Sequence, residues 1–256
     1  MITSTSNNKI KNLSKCMKSS KERKKQDVFL VEGIRMFSEI PDRLHLETFV
    51  TEAFYERNKE LFFDIPFEIV SEHIMESVSD TKTPQGVISI VKRQHYTVEE
   101  VCKGKVPLIM ALENIQDPGN LGTILRTAEG AGVTGVLMSG DTVDIYNPKV
   151  VRATMGSIFR IPFTVVENLT ECIRELNHKN FRTYSAHLQG KCFYDFDYRN
   201  PTIFCVGNEG NGLSKELSEI TNHKIVIPMM GKVESLNVAT ASTILMYEAM
   251  RQRTTK

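Results

Sequence analysis

Short apolar runs alternate with helix-forming stretches along this chain, and the alternation changes character near its first third. Residues 1 to about 92 open with a basic helical segment. The apolar runs Val28 to Val31, Leu46 to Val50, Phe67 to Val70 and Gly86 to Val91 follow, with helical stretches such as Ile34 to Glu39 between them. That mixture predicts a small α/β domain. Residues 93–105 are polar and charged and predict a linker. From Val106 onward strands and helices alternate regularly, the pattern of a parallel sheet wrapped by helices. The predicted strands are Leu108 to Leu112, Gly135 to Met138, Thr183 to Ala186, Thr202 to Val206 and Lys224 to Ile227. The predicted helices are Leu121 to Gly130, Pro148 to Phe159, Leu169 to His178, Ser214 to Glu219 and Val238 to Arg251. Ser235 or Asn237 can cap the last of these, whose stripe Val238, Ala241, Leu245, Met246 and Ala249 suits a core or a subunit interface. Arg251, Arg253 and Lys256 suit the negative end of its dipole.

At 256 residues, 41% hydrophobic and 25% charged, the chain can bury a substantial core in about two domains. The net charge of +1 conceals an asymmetry: Lys9 to Lys25 holds eight basic residues against Glu22 alone, whereas Gln26 to Lys92 holds six basic against thirteen acidic. The basic run is a candidate polyanion contact or a solvated helix. Cys16, Cys102, Cys172, Cys192 and Cys205 show neither redox nor zinc-knuckle spacing, and the histidines form no HxxxH or HxH pair, so no metal site is expected. A polar N-terminus and the absence of a long apolar run argue against secretion and membrane insertion, and a reducing cytoplasmic setting fits.

Three polar, glycine-bearing loops each follow a predicted strand. Glu113 to Gly122 reads ENIQDPGNLG, Gly207 to Ser214 reads GNEGNGLS, and Ile227 to Ala239 reads IPMMGKVESLNVA. Loops of this order meet at one edge of a parallel sheet, where open α/β folds bind ligands. The literal GxGxxG at Gly130 to Gly135 is different. There a helix ends and a strand begins, the reverse of the polarity a dinucleotide phosphate needs, so these glycines are expected to end the helix and turn the chain.

The segments DPGNLGxxxRTA at Asp117 to Ala128, GNEGxGLS at Gly207 to Ser214 and IPMxGxxESLNVAxA at Ile227 to Ala241 resemble the three motifs of the SpoU (TrmH) family of RNA ribose 2′-O-methyltransferases. FLVEGIRM at Phe29 to Met36 looks like part of the small RNA-binding α/β domain of ribosomal RNA members. The resemblance implies a SPOUT domain over residues 106–256, with a trefoil knot, S-adenosylmethionine bound in it, and a homodimer. It also implies an RNA substrate-binding domain over residues 1–92. Arg126 becomes the catalytic arginine, with Asn120, Glu209, Ser235 and Asn237 beside it. Gly207, Ile227 and Leu236 would hold the cofactor. No metal is implied.

Because a guanidinium keeps its proton near neutral pH, Arg126 could act as a transient base helped by a substrate phosphate or as a cation that binds that phosphate and stabilises an alkoxide. Lys9, Lys11, Lys15, Arg23, Lys24 and Lys25 are candidate phosphate contacts. Asn147 and Arg152 resemble a family segment that helps build the RNA surface or the dimer. The implied activity is ribose methylation of ribosomal RNA of the large subunit. The alternatives are a tRNA methyltransferase and a noncatalytic RNA-binding assembly factor on the same fold.

Overall fold

The computed structural model describes residues 1–255, so the expectation for Lys256 lies outside the described residues. The first elements are α1 (Asn8–Lys18), α2 (Ser20–Gln26), β1 (Val28–Glu32), α3 (Ile34–Phe37), β2 (His45–Thr51), α4 (Glu52–Arg57), β3 (Phe67–Val70), α5 (Glu72–Val78) and β4 (Val87–Lys92). Then come α6 (Val98–Val101), β5 (Leu108–Leu112), α7 (Pro118–Gly130), β6 (Gly135–Ser139), α8 (Pro148–Thr154), β7 (Phe163–Val166) and α9 (Leu169–His178). The chain finishes with β8 (Arg182–Cys192), β9 (Thr202–Val206), α10 (Lys215–Ile220), β10 (His223–Val226) and α11 (Val238–Thr254). Two compact units divide them.

One unit comprises Met1–Gln94 with Asp144–Phe159. Its sheet runs β1-β4-β2-β3, with β4 antiparallel to both neighbours and β2 parallel to β3. Asn7 caps α1, which buries Ile10, Leu13, Cys16 and Met17 against Leu30, Phe49, Ile74 and Ile88. The spacing of those four residues is the apolar stripe of an amphipathic helix, and Ile10, Leu13 and Met17 each contribute ~1.5–3 kcal/mol on burial. Every residue of β1 is buried because α8 covers it on one side, and Phe29 packs on the rings of Tyr146 and Phe159. The guanidinium of Arg23, 3% exposed, is 2.6 Å from the Asp144 carboxylate and also donates to the carbonyls of Cys16 and Met17.

The segment expected as a single helix from Pro148 to Phe159 breaks instead after Thr154. Met155 takes a left-handed cap (φ 51°) and Gly156 follows at φ 92°, where a side chain would also meet Glu39. A 3-10 turn then carries Ser157–Phe159.

The other unit comprises His95–Val143 with Arg160–Lys256, of which the described part ends at Thr255. Its six strands are all parallel, in the order β10-β8-β9-β5-β6-β7. The chain proceeds from β5 outward through β6 to β7, crosses to β8, and then returns to insert β9 beside β5. The reversal of direction therefore falls between β5 and β9, the position at which doubly wound sheets open a crevice. Both strands are buried throughout. Val101 of α6, Ile173 and Leu176 of α9 and Leu217 of α10 form a core with Ile109, Leu137 and Ile203, while α7 packs on α11.

Between residues 93 and 105, a Thr97/Glu100 capping box supports α6, whose Val101 is fully buried. The strand predicted at Thr183 to Ala186 runs on to Cys192, shifting its register on β10 between Lys224 and Ile225. As expected, α7 ends at Gly130 and β6 starts at Gly135. Arg253 does more than face a dipole: it donates to the carbonyls of Tyr198, Val106, Pro107 and Asn200 at 2.8–3.3 Å and ties the end of α11 to the start of the sheet.

Candidate active site

The loops that follow β5, β9 and β10 converge at the ends of their strands in the six-stranded parallel sheet. Asp117 accepts a 2.7 Å hydrogen bond from the Asn120 amide and, with Pro118 in the first turn, starts α7 earlier than its apolar periodicity predicts. The loop after β9 closes on itself through paired main-chain bonds between Asn208 and Gly212. At Gly207 a Cβ would lie 2.3 Å from the main chain of Gly212 and Leu213, so this position has no room for any side chain.

Side chains then stitch the loops together. Glu113 accepts from the amide and hydroxyl of Ser214 at 2.6 and 2.7 Å. Asn208 donates to the Asn114 carbonyl at 3.0 Å. Glu209 accepts from the Asn120 side chain at 3.0 Å and from the amides of Gln116 and Asp117 at 3.4 Å. Asn120 in turn accepts from Asn237 at 2.9 Å, while the Asn237 oxygen caps α11. Glu209, Asn120 and Asn237, one residue from each loop, thus form a continuous polar chain. Partial burial pushes the Glu209 carboxyl up, but the Asn120 amide and the main-chain amides of Glu209, Gln116 and Asp117 outweigh it and hold the group below its ordinary value.

Beside this chain lies a cleft of about 470 Å³ with Gly207, Ile227 and Leu236 in its wall, together with Glu209, Ser235 and Asn237. Val206, Ile225 and Leu245 supply apolar surface. Its size and mixed lining suit a small ligand gripped by main-chain polar groups. The fit to S-adenosylmethionine is good on these grounds: apolar walls for an adenosine, main-chain donors and acceptors for its polar edges, and a loop folded tightly on itself at Gly207 beside them. Asn120 is the middle member of the polar chain and is not part of the cleft wall. Arg126 is exposed on α7 and is not part of that wall. Among the described residues, no group of three or more metal-ligating side chains is assembled.

Sequence reasoning passed over Glu113, Asn114 and Asn208 as individual residues, and also His187 and Gln189 of β8, which line the cleft. Glu113 opens the loop after β5, but its partner Ser214 is 101 residues away, a distance over which no local pattern speaks.

The basic candidates divide in the N-terminal unit. Lys11, Lys15, Lys24 and Lys25 are exposed. Lys9 is held by Glu47 and Glu68, both at 2.6 Å, which push its pKa up. Arg23 is buried on Asp144, which removes it from any surface a phosphate could reach. Asn147 caps α8, and Arg152 pairs with Asp80 at 2.8 Å and lies 3.7 Å from Glu32. Arg152 thereby holds Asp144–Phe159 to its own unit, while Asn147 acts within that segment.

A fold of this topology, with a cleft built from loops at its switch point, is that of a SPOUT methyltransferase. The chain belongs to the SpoU rRNA methylase family, whose model matches residues 107–247, and residues 7–89 match an MRM3-like substrate binding domain. It is similar to the 23S rRNA (guanosine(2553)-2′-O)-methyltransferase RlmP of Bacillus subtilis, 34% identical over 251 residues, covering 96% of this chain and 97% of the relative. Among solved structures, an AdoMet-bound rRNA methyltransferase from Sinorhizobium meliloti superposes with a TM-score of 0.87 at 29% identity, covering 98% of this chain and 97% of its own. A TrmH/SpoU tRNA modifying enzyme of A. aeolicus, 32% identical, covers 60% of this chain and 80% of its own with a TM-score of 0.52.

Proposed function

We propose that this chain methylates a ribose 2′-hydroxyl of 23S ribosomal RNA using S-adenosylmethionine, working as a knotted homodimer in the cytoplasm. The observation that carries the reading is the interlocking of Asn120, Glu209 and Asn237 beside a cleft walled by Gly207, Ile227 and Leu236. Relatives named for rRNA match nearly the whole chain, both units included, whereas the tRNA enzyme covers 60% of it. That difference favours ribosomal RNA over tRNA.

When bound, the cofactor supplies an electrophilic methyl group on a sulfonium. The protein's part is to align an attacking oxygen and to handle its proton, and alignment alone can lower the barrier by roughly 7 kcal/mol or more. Leu236 and Ile227 would hold the cofactor through main-chain groups, and Gly207, where no side chain fits, would keep the loop beside it closed on itself. Glu209, kept ionised by its amide donors, fixes Asn120 and is an acceptor for ribose hydroxyls. Arg126 supplies the positive charge at which a substrate phosphate and a developing alkoxide are stabilised.

Its exposure on α7, away from the wall of its own cleft, supports a site completed by a second copy, with Arg126 of one subunit acting at the cleft of the other. The assay is transfer of labelled methyl from S-adenosylmethionine to bulk rRNA and tRNA, followed by mapping of alkali-resistant linkages. Label in rRNA from wild type, and none from Arg126→Ala, is the expected result. Mixing Arg126→Ala subunits with cleft-defective subunits restores activity if the site is shared; a purified dimer that labels neither RNA refutes the reading.

A further inference from the structure

Lys9 and Arg23 are neutralised within the chain, but Lys11 and Lys15 are not: among the described residues neither makes an ion pair. They stand one turn apart on α1, a like-charge i,i+4 pair that weakens a helix unless something outside answers it. Both border a cleft of about 360 Å³ where α1 lies against α5. Thr5, Ser14 and Ser77 line it with hydroxyls, and Ile10 and Val78, 2% and 3% exposed, supply its apolar lining. The Ser77 hydroxyl donates to the Ile74 carbonyl at 2.7 Å and keeps lone pairs for an incoming donor. Two cations and three hydroxyls match the polar parts of one nucleotide: phosphate, and hydroxyl or base edge. A duplex offers phosphates on convex ridges and cannot enter a cleft of this size, whereas an unpaired residue can be splayed into it.

We propose that the α1/α5 cleft captures a single unpaired nucleotide of the RNA substrate, with Lys11 and Lys15 on its phosphates. The proposal rests on the reading of the chain as an RNA methyltransferase and locates one point at which its N-terminal unit holds that RNA.

The test uses the full chain and fluorescence anisotropy with an unstructured oligoribonucleotide and a blunt RNA duplex over a range of salt concentrations. Lys11→Ala/Lys15→Ala weakens binding of the single strand by about tenfold or more and flattens the log–log salt dependence by about 1.4, the loss of two phosphate contacts. Lys18→Ala/Lys21→Ala removes the same charge from exposed positions outside the cleft and has a much smaller effect. Ser77→Phe fills the cleft at an exposed position without altering charge, and lowers affinity with the salt slope retained. Unchanged far-ultraviolet circular dichroism and thermal melting verify that each variant is folded. Equal losses from the two lysine pairs, wild-type affinity in Ser77→Phe, or equal weakening on the duplex overturns the nucleotide cleft and leaves the enzymatic reading standing. A wild-type protein that neither binds nor methylates RNA overturns the enzymatic reading itself.

Discussion

Replacing Gly207 by alanine adds one methyl group where the structure has none to spare. The new Cβ would fall 2.3 Å from the main chain of Gly212 and Leu213, about 1 Å inside the 3.4 Å at which ordinary contact begins. No rotamer relieves this overlap, because both sides of it are backbone. The Gly207–Ser214 loop must therefore move, and its Asn208–Gly212 bonds must lengthen or break. Overpacking of this kind costs about 1–3 kcal/mol of folding stability. A cleft wall displaced by about 1 Å also lowers turnover on the order of 100-fold, since alignment of the reacting atoms depends on it. Calorimetric titration with S-adenosylhomocysteine, thermal melting and methyl transfer on one preparation separate the two effects. Gly210→Ala is the control in the same loop, because the nearest atom to its Cβ, Asn208 Oδ1, lies at 3.5 Å. Wild-type affinity and turnover in Gly207→Ala, or equal damage from Gly210→Ala, would refute the steric argument.

Arg126→Lys keeps the charge but loses the planar fork, and methyl transfer should fall by about 100-fold or more while cofactor affinity holds; a fully active lysine variant removes Arg126 from the chemistry. Glu209 has a depressed folded pKa, so the stability it gives is present above its unfolded value near 4.5 and lost as pH falls through the lower folded one. The difference in melting temperature between wild type and Glu209→Gln should accordingly shrink on acidification, and a difference that grows contradicts the assignment. Arg23→Met leaves Asp144 without its buried cation and should cost about 3 kcal/mol or more in denaturant unfolding, partly recovered by adding Asp144→Asn. A loss within about 0.5 kcal/mol, typical of surface changes, would mean that the pair is not structural.

Much of the unit with the six-stranded sheet was legible because its central strands are apolar on both faces. Leu108–Leu112 and Thr202–Val206 occur where the apolar runs predict them, and helix Leu169–His178 likewise. Elements without such a run escaped: β7 is four residues at a sheet edge with Val165 exposed, and α5 spans two turns with only Ile74, Met75 and Val78 buried. The extension of β8 to Cys192 depends on its pairing with β10, a tertiary contact that polar residues such as Gln189 and Lys191 do not announce. For the site, loop order and residue type pointed to the right edge of the sheet. Which residues touch did not follow. That Asn120 bridges Glu209 and Asn237 is a matter of positions 89 and 117 residues apart. The basic segment misled in a different way: charge counts cannot distinguish Lys11, exposed beside a cleft, from Arg23, buried on Asp144.

One helix joins cofactor and scaffold more closely than its bland composition suggests. α11 begins at the Asn237 cap, walls the cleft with Val238, Ala241 and Leu245, and finishes with Arg253 tied to four carbonyls at the opposite border of the sheet. Occupancy of the cleft and resistance of residues 250–254 to fraying therefore share a single free-energy balance. Amide exchange at that distant tail should slow whenever the methyl donor is bound, making it a remote gauge of saturation.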